Sequence, residues 1–293
     1  MELASIFEAF SYPFMLRALG AMVLLAVASG IVGFLISLRD LQFVTDGLIH
    51  AVFPGLVIGF ALAGTTGILP GAFVAGIVAA LLLTFMSKTG RVGQDAAVAV
   101  VLTSAFSLGV VIVSRQQNYV SQLEELLFGR LLTVSAEQLV QIAIVAAIAV
   151  ALVAITWRAQ VFRAFDEAGF IAAGHRLFQT DLVLNIAVAL LVVAGVQAIG
   201  NLMVLALLIV PMAFARLISR RLYVLVPLAI AAPLLSAVLA LWMSFDWSMN
   251  FNVSPSPGAL LVITLLGFYA LALAGYGLRK LSHSRSHRRR VLA

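Results

Sequence analysis

The sequence contains no cysteine, which excludes disulfides and thiolate metal ligands. Charge is scarce as well. Asp, Glu, Lys and Arg make up 10% of the 293 residues, against about 25% in soluble domains. With 63% hydrophobic residues and a mean hydropathy of +1.14, the chain lacks the charge to keep itself in water. No Gly-x-x-x-x-Gly-Lys-Ser/Thr loop occurs, so no P-loop ATPase site is present in the sequence. Ser/His/Asp arrangements and carboxylate pairs that would support catalysis are also missing, which disfavours an intramembrane enzyme. The net charge of +6 invites a nucleic-acid reading, but the basic residues fall between apolar runs and at the C-terminal end, as topology signals do. No nucleic acid is expected as a partner.

Apolar runs of about 20 residues fill most of the chain. They predict a single all-α domain over 1–293, a polytopic transmembrane bundle of about 8–9 spans. The expected spans are Phe14–Leu38, Leu41–Ala63, Ile68–Ser87, Gln94–Ser114, Ala136–Trp157, Asp181–Gln197, Asn201–Leu217, Leu222–Ser244 and Gly258–Leu278. The first run lacks a basic region and a small-x-small cleavage site, so it reads as a span rather than a signal peptide. The stretch from Asp181 to Leu217 is nearly continuous and is expected to be broken or re-entrant near 195–201. Placing the C-terminus in the cytoplasm and the N-terminus outside puts all but Arg17, Arg115 and Arg130 of the 18 Lys and Arg residues inside. The tail, 279–293, reads as a basic cytoplasmic segment that touches anionic lipid. A metal-binding role for its His283 and His287 is the weaker reading, because a tail holds no fixed geometry.

Within this apolar background the stretch FVTDGLIHAVFPG, residues 43–55, carries Asp46 and His50. On a helix, residues four apart share one face. A charge at bilayer depth costs about 2.5–3.5 kcal/mol even on the lenient insertion scale, so such residues face a partner or a cavity. One reading is that the two side chains satisfy each other. The other is a metal or proton site, for which two ligands are too few unless a twofold axis brings two copies together. Carboxylate and imidazole suit Mn²⁺, Zn²⁺ or Fe²⁺. Pro54 removes a backbone hydrogen bond a turn later, so Pro54 and Gly55 read either as a kink beside the site or as a packing feature.

FVTDGLIHAVFPG closely resembles the second-helix signature of the ABC-3 family, the permeases of manganese, zinc and iron ABC importers. In that signature an aspartate is followed four residues later by His-Ala-Val-x-Pro-Gly. The resemblance extends through QDAAVAVVLTSAFSLGVVIVS, LEELLFGRLLTVS, FDEAGFIAAGH and VQAIGNLMVLALLIVPMAFARLI, in the family's order. Thr45 and Gly47 depart from the family's usual glycine and alanine, and no proline follows Asp166. The resemblance implies that Asp46 and His50 bind the transported metal. It implies a homodimer in the cell membrane, a separate cytoplasmic ABC ATPase and an extracytoplasmic metal-binding protein. It implies no permanently bound cofactor, with Mn²⁺ favoured over Zn²⁺ as cargo.

Between Arg158 and Phe178 lies the longest polar stretch expected in the cytoplasm. Asp166 and Glu167 are suited to start a short helix and Gly174 to end it. The residues alone allow a solvated loop; the resemblance makes Phe165, Asp166, Glu167 and Gly174 part of an ATPase-coupling element. Asp95 reads as a helix N-terminal charge. Glu124 and Glu125 read as solvated in an outer loop, with contact to a delivery protein as the alternative. Asn185, Gln197 and Asn201 are expected to make interhelical hydrogen bonds, with lining of the pathway as the alternative. An ion- or proton-coupled secondary transporter is the competing function. It would work without an ATPase and would carry more embedded charge than this sequence offers.

Overall fold

A computed structural model of the chain describes residues 8–88, 93–114, 129–251 and 255–291. Glu124, Glu125, Arg91 and Arg115 lie outside the described residues, as do the side chains of Gln197, His283 and His287. The described elements are helical, as hydrocarbon demands: with no water to bond the backbone, each spanning segment must satisfy its own amides. In chain order they are α1 (Pro13–Leu38), α2 (Gln42–Ala63), α3 (Thr65–Lys88), α4 (Gln94–Val113), a 3₁₀ turn (Leu131–Thr133), α5 (Ala136–Phe165), α6 (Glu167–Ala172), α7 (Leu177–Ile199), α8 (Asn201–Ile218), α9 (Leu222–Phe251) and α10 (Pro257–Val291). Eight of them, α1–α5, α7, α9 and α10, are long and apolar enough to cross a membrane. Two-thirds of α1 and most of α2 and α7 are buried, whereas α3, α4, α5 and α10 present faces such as Val74, Phe85, Ile155 and Leu271 that suit lipid.

The 181–217 stretch resolves into two helices broken at Gly200, whose φ of 81° only glycine adopts freely. The helices fold back on each other: a Cβ on Gly195 would lie 2.6 Å from Val204. Their far ends meet the same neighbour, because Asp181 of α7 bonds Arg39 just beyond α1, and Arg216 of α8 donates to the Ser37 carbonyl at 2.5 Å. Entry and exit therefore lie at one end of the bundle. α8 has 18 residues, about 27 Å long, which just falls short of a 30 Å hydrocarbon core. Gly129, with φ 70°, packs directly on the Ile199–Gly200 break and caps it from the opposite end.

Helix α5 extends eight residues past the expected Trp157, to Phe165. Its start is fixed by a capping box, with Gln138 N–H donating to Ser135 Oγ at 3.1 Å and Ser135 N–H to Gln138 Oε1 at 3.0 Å. Its end persists because Gln160, polar by type, is fully buried and bonded on both sides of its amide. Phe165 is thus the last residue of a long helix rather than part of a loop.

Candidate functional site

Helix α2 positions Asp46 and His50 one turn apart, both half-buried. His50 Nδ1 lies 3.2 Å from Asp46 Oδ1 and 3.0 Å from the Asp46 carbonyl oxygen. Two acceptors on that nitrogen favour the tautomer that carries its proton there, in which the Nε2 lone pair is free. From α4, Phe106 meets the imidazole in a T-shaped contact with centroids 5.6 Å apart, and packs at a tilt on Phe53 at 5.3 Å. The close approach of α4 depends on two glycines: a Cβ on Gly47 would come within 2.6 Å of Val98, and one on Gly109 would overlap Phe53. Gly47, where the family usually has alanine, thus brings the α4 backbone in next to the pair. Among the described residues no group of three or more His, Asp and Glu side chains is placed to hold a metal. Among the described residues, Asp46 and His50 therefore stand as a pair without a third such side chain beside them.

Pro54 sits inside a continuous α2, and Gly55 serves packing. Gly55 and Gly59 face Gly71 and Gly67 of α3 so closely that a methyl group on any of them would overlap a facing carbonyl. These are two Gly-x-x-x-Gly surfaces meeting across a hairpin whose turn is Gly64, φ 62°. Backbone contact of this kind makes the wall behind the ligand pair stiff.

The second assembly lies at the bundle end where α1, α5 and α8 finish and α7 begins. Asp166 is the N-cap of α6, accepting from Gly169 N–H at 2.8 Å, and Glu167 is its first residue. Gly174, φ 82°, closes the helix: its N–H donates to Ile171 O at 2.9 Å, and His175 N–H to Phe170 O at 3.3 Å. That pair of bonds is a Schellman motif, which requires the left-handed residue at the C′ position. Phe170, fully buried, stacks on His175 at 4.6 Å and meets Phe162 of α5 edge-on, so α6 is pinned to α5.

Beside α6 is a set of charges that sequence reasoning took only as topology signals and span boundaries. Arg163 of α5 grips Asp181 of α7 with Nε at 2.6 Å and Nη2 at 2.9 Å, and reaches Glu167 of α6 with Nη1 at 2.7 Å. Arg39 bonds the same Asp181 carboxylate and donates to Gln160 at 2.8 Å. Burial holds the Arg39 guanidinium below its ordinary value, with Asp181 opposing the shift. Sequence separations of 121 and 142 residues leave no local signal for such a cluster. The cluster borders a cavity of about 1010 Å³ that also meets Lys88, Gln94 and Arg176. The cavity touches Leu41, just before α2, and Val44 of α2, on the face turned away from Asp46 and His50.

The remaining polar residues divide. Asn185 donates to Thr84 Oγ1 at 2.8 Å, bridging α7 and α3 as expected. Asn201 does not follow the expectation: it is fully buried at the helix break and both side-chain polar atoms lack a protein partner. Asp95 lies in the first turn of α4, where a negative charge complements the helix dipole.

Among the described residues, eight helices long and apolar enough to cross a membrane, the second of them carrying an acid–imidazole pair, mark a multi-pass membrane protein. The chain belongs to the ABC 3 transport family, whose model matches residues 11–274. It is 30% identical over 90% of its length to the manganese transport system membrane protein MntC of Listeria monocytogenes, covering 91% of that protein. It is 29% identical to the chelated iron transport system membrane protein YfeD of Yersinia pestis, over 93% of this chain and 89% of that one. The structure of PsaBC from Streptococcus pneumoniae in complex with Fab matches with a TM-score of 0.78 and 25% identity, over 92% of this chain and 95% of that chain. The chain is thus the permease of an ABC transporter, and the ion-coupled reading falls away.

Proposed function

We propose that this permease imports a divalent transition metal, Mn²⁺ in preference to Zn²⁺ or Fe²⁺, through a site built from Asp46 and His50 of two copies of the chain. The observation that carries the reading is the pairing of His50 Nδ1 with Asp46, which orients Nε2 as a free donor next to a carboxylate. Two such pairs on a twofold axis supply four nitrogen and oxygen donors, enough for a transition ion. The named cargo of the MntC relative supports manganese. A separate ATPase docks on α6 and drives alternating access, and a binding protein delivers the ion on the other side. The C-terminus lies in the cytoplasm and the N-terminus outside. Arg39, Arg163, Arg176 and Arg216 gather at one end of the bundle, in keeping with the positive-inside rule.

The test is uptake of Mn²⁺ into proteoliposomes by the assembled transporter. Asp46→Ala and His50→Ala are expected to assemble normally and to lose uptake, since each removes half the ligands. Wild-type uptake by Asp46→Ala would place the pathway elsewhere.

A further inference from the structure

We propose that Asp181 is a positioning residue that carries motion from the ATPase-docking helix to the helix bearing the metal ligands. The inference rests on the coupling role proposed for α6 and adds the route by which that role acts. α6 follows α5 with only Asp166 between them, and Arg163 in the last turn of α5 is tied to α6 through Glu167. Arg163 holds Asp181 with two bonds, and a bidentate guanidinium–carboxylate pair fixes both distance and orientation. The same carboxylate holds Arg39. Arg39 stands between α1 and α2, seven residues before Asp46, with only Asp40 and Leu41 before α2 begins. A displacement of α6 therefore has a continuous polar path to the start of the metal-binding helix.

Three features mark this cluster as more than a static clamp. Arg39 and Arg163 have side chains only 6% and 14% exposed; Asp181 is the counter-charge that both share, with Glu167 as a second one for Arg163. Gln160, fully buried, ties Arg39 to the Thr180 carbonyl next to Asp181, so α1, α5 and α7 share one polar joint. One side of the joint opens on the 1010 Å³ cavity, so the carboxylate is held by charge rather than by surrounding packing. A joint of that kind can exchange partners between two arrangements, which is what a switching element requires.

The experiment uses the permease co-expressed with its ATPase and reconstituted with Mn²⁺ and the delivery protein. Asp181→Asn is expected to co-purify with the ATPase at the wild-type ratio while Mn²⁺ stimulation of ATP hydrolysis falls by about tenfold, within the usual range for coupling between sites. Asp181→Glu is expected to restore most of it. If Asp181→Asn assembles poorly, the double variant Asp181→Asn, Arg39→Gln, which removes one charge of each sign, is read instead. Unchanged Mn²⁺ stimulation of ATP hydrolysis in whichever variant assembles overturns the inference. If Gly174 variants uncouple and Asp181 variants do not, the docking role of α6 stands and only this route fails. If the wild-type ATPase does not bind the permease through α6, the underlying reading fails with it.

Discussion

Gly174 offers a test that separates backbone conformation from bulk. The residue holds φ at 82°, and a Cβ built there would meet no atom within 4 Å. A Cβ has open space there, so the cost of substitution is the left-handed backbone itself, about 1–2 kcal/mol for an ordinary L-residue. The two bonds that end α6, from Gly174 to Ile171 and from His175 to Phe170, depend on that φ. About 1.4 kcal/mol is a tenfold change in population, so Gly174→Ala should leave roughly a tenth as much correctly closed α6 relative to its open form. Gly174→Asn should stay near wild type, because asparagine tolerates this region. Gly174→Val should be worst, since a β-branched residue there is a genuine outlier. The assay is the affinity of the co-expressed ATPase for each variant, together with Mn²⁺-stimulated hydrolysis. The order Gly, Asn, Ala, Val is expected. An order that follows size, with Asn worse than Ala, would refute the reasoning.

Gly59→Leu drives a side chain into the Gly67 backbone of α3 and should cost more than the 1–3 kcal/mol typical of overpacking, read as a fall in melting temperature in detergent; Gly267→Leu, which meets nothing within 4 Å, is the control and should melt normally. Phe170→Ala removes the buried anchor of α6 at about 3–5 kcal/mol and should release that helix to proteolysis or rapid amide exchange while the bundle stays protected; equal protection in both proteins would contradict its anchoring role.

The sequence made the bundle legible because hydrocarbon leaves the backbone so few options. Apolar runs locate each of the eight described helices long enough to span, and the break expected at 195–201 falls at Gly200. Asp46 and His50 stood out because charge is rare in such runs, and their spacing alone placed them on one face. Gly55 was harder to read. Beside Pro54 it resembles a kink, and only the facing Gly71 reveals a packing contact. Helix ends followed the same pattern: Phe165 looked like loop because Arg158 and Gln160 precede it, yet burial of Gln160 keeps α5 wound. The Arg39–Asp181–Arg163 joint was invisible for a different reason. Each of its members sits at a span boundary, where a lone charge is ordinary, and only folding brings the boundaries together.

The central claim is that His50 gives its free nitrogen to the transported ion. Pulsed electron paramagnetic resonance of Mn²⁺ bound to the purified permease reads this directly, because a ligating imidazole nitrogen couples to the metal's unpaired electrons. A nitrogen coupling present in the wild type and lost in His50→Ala is the predicted result. The same coupling in His50→Ala, or none in the wild type at full Mn²⁺ occupancy, would contradict it.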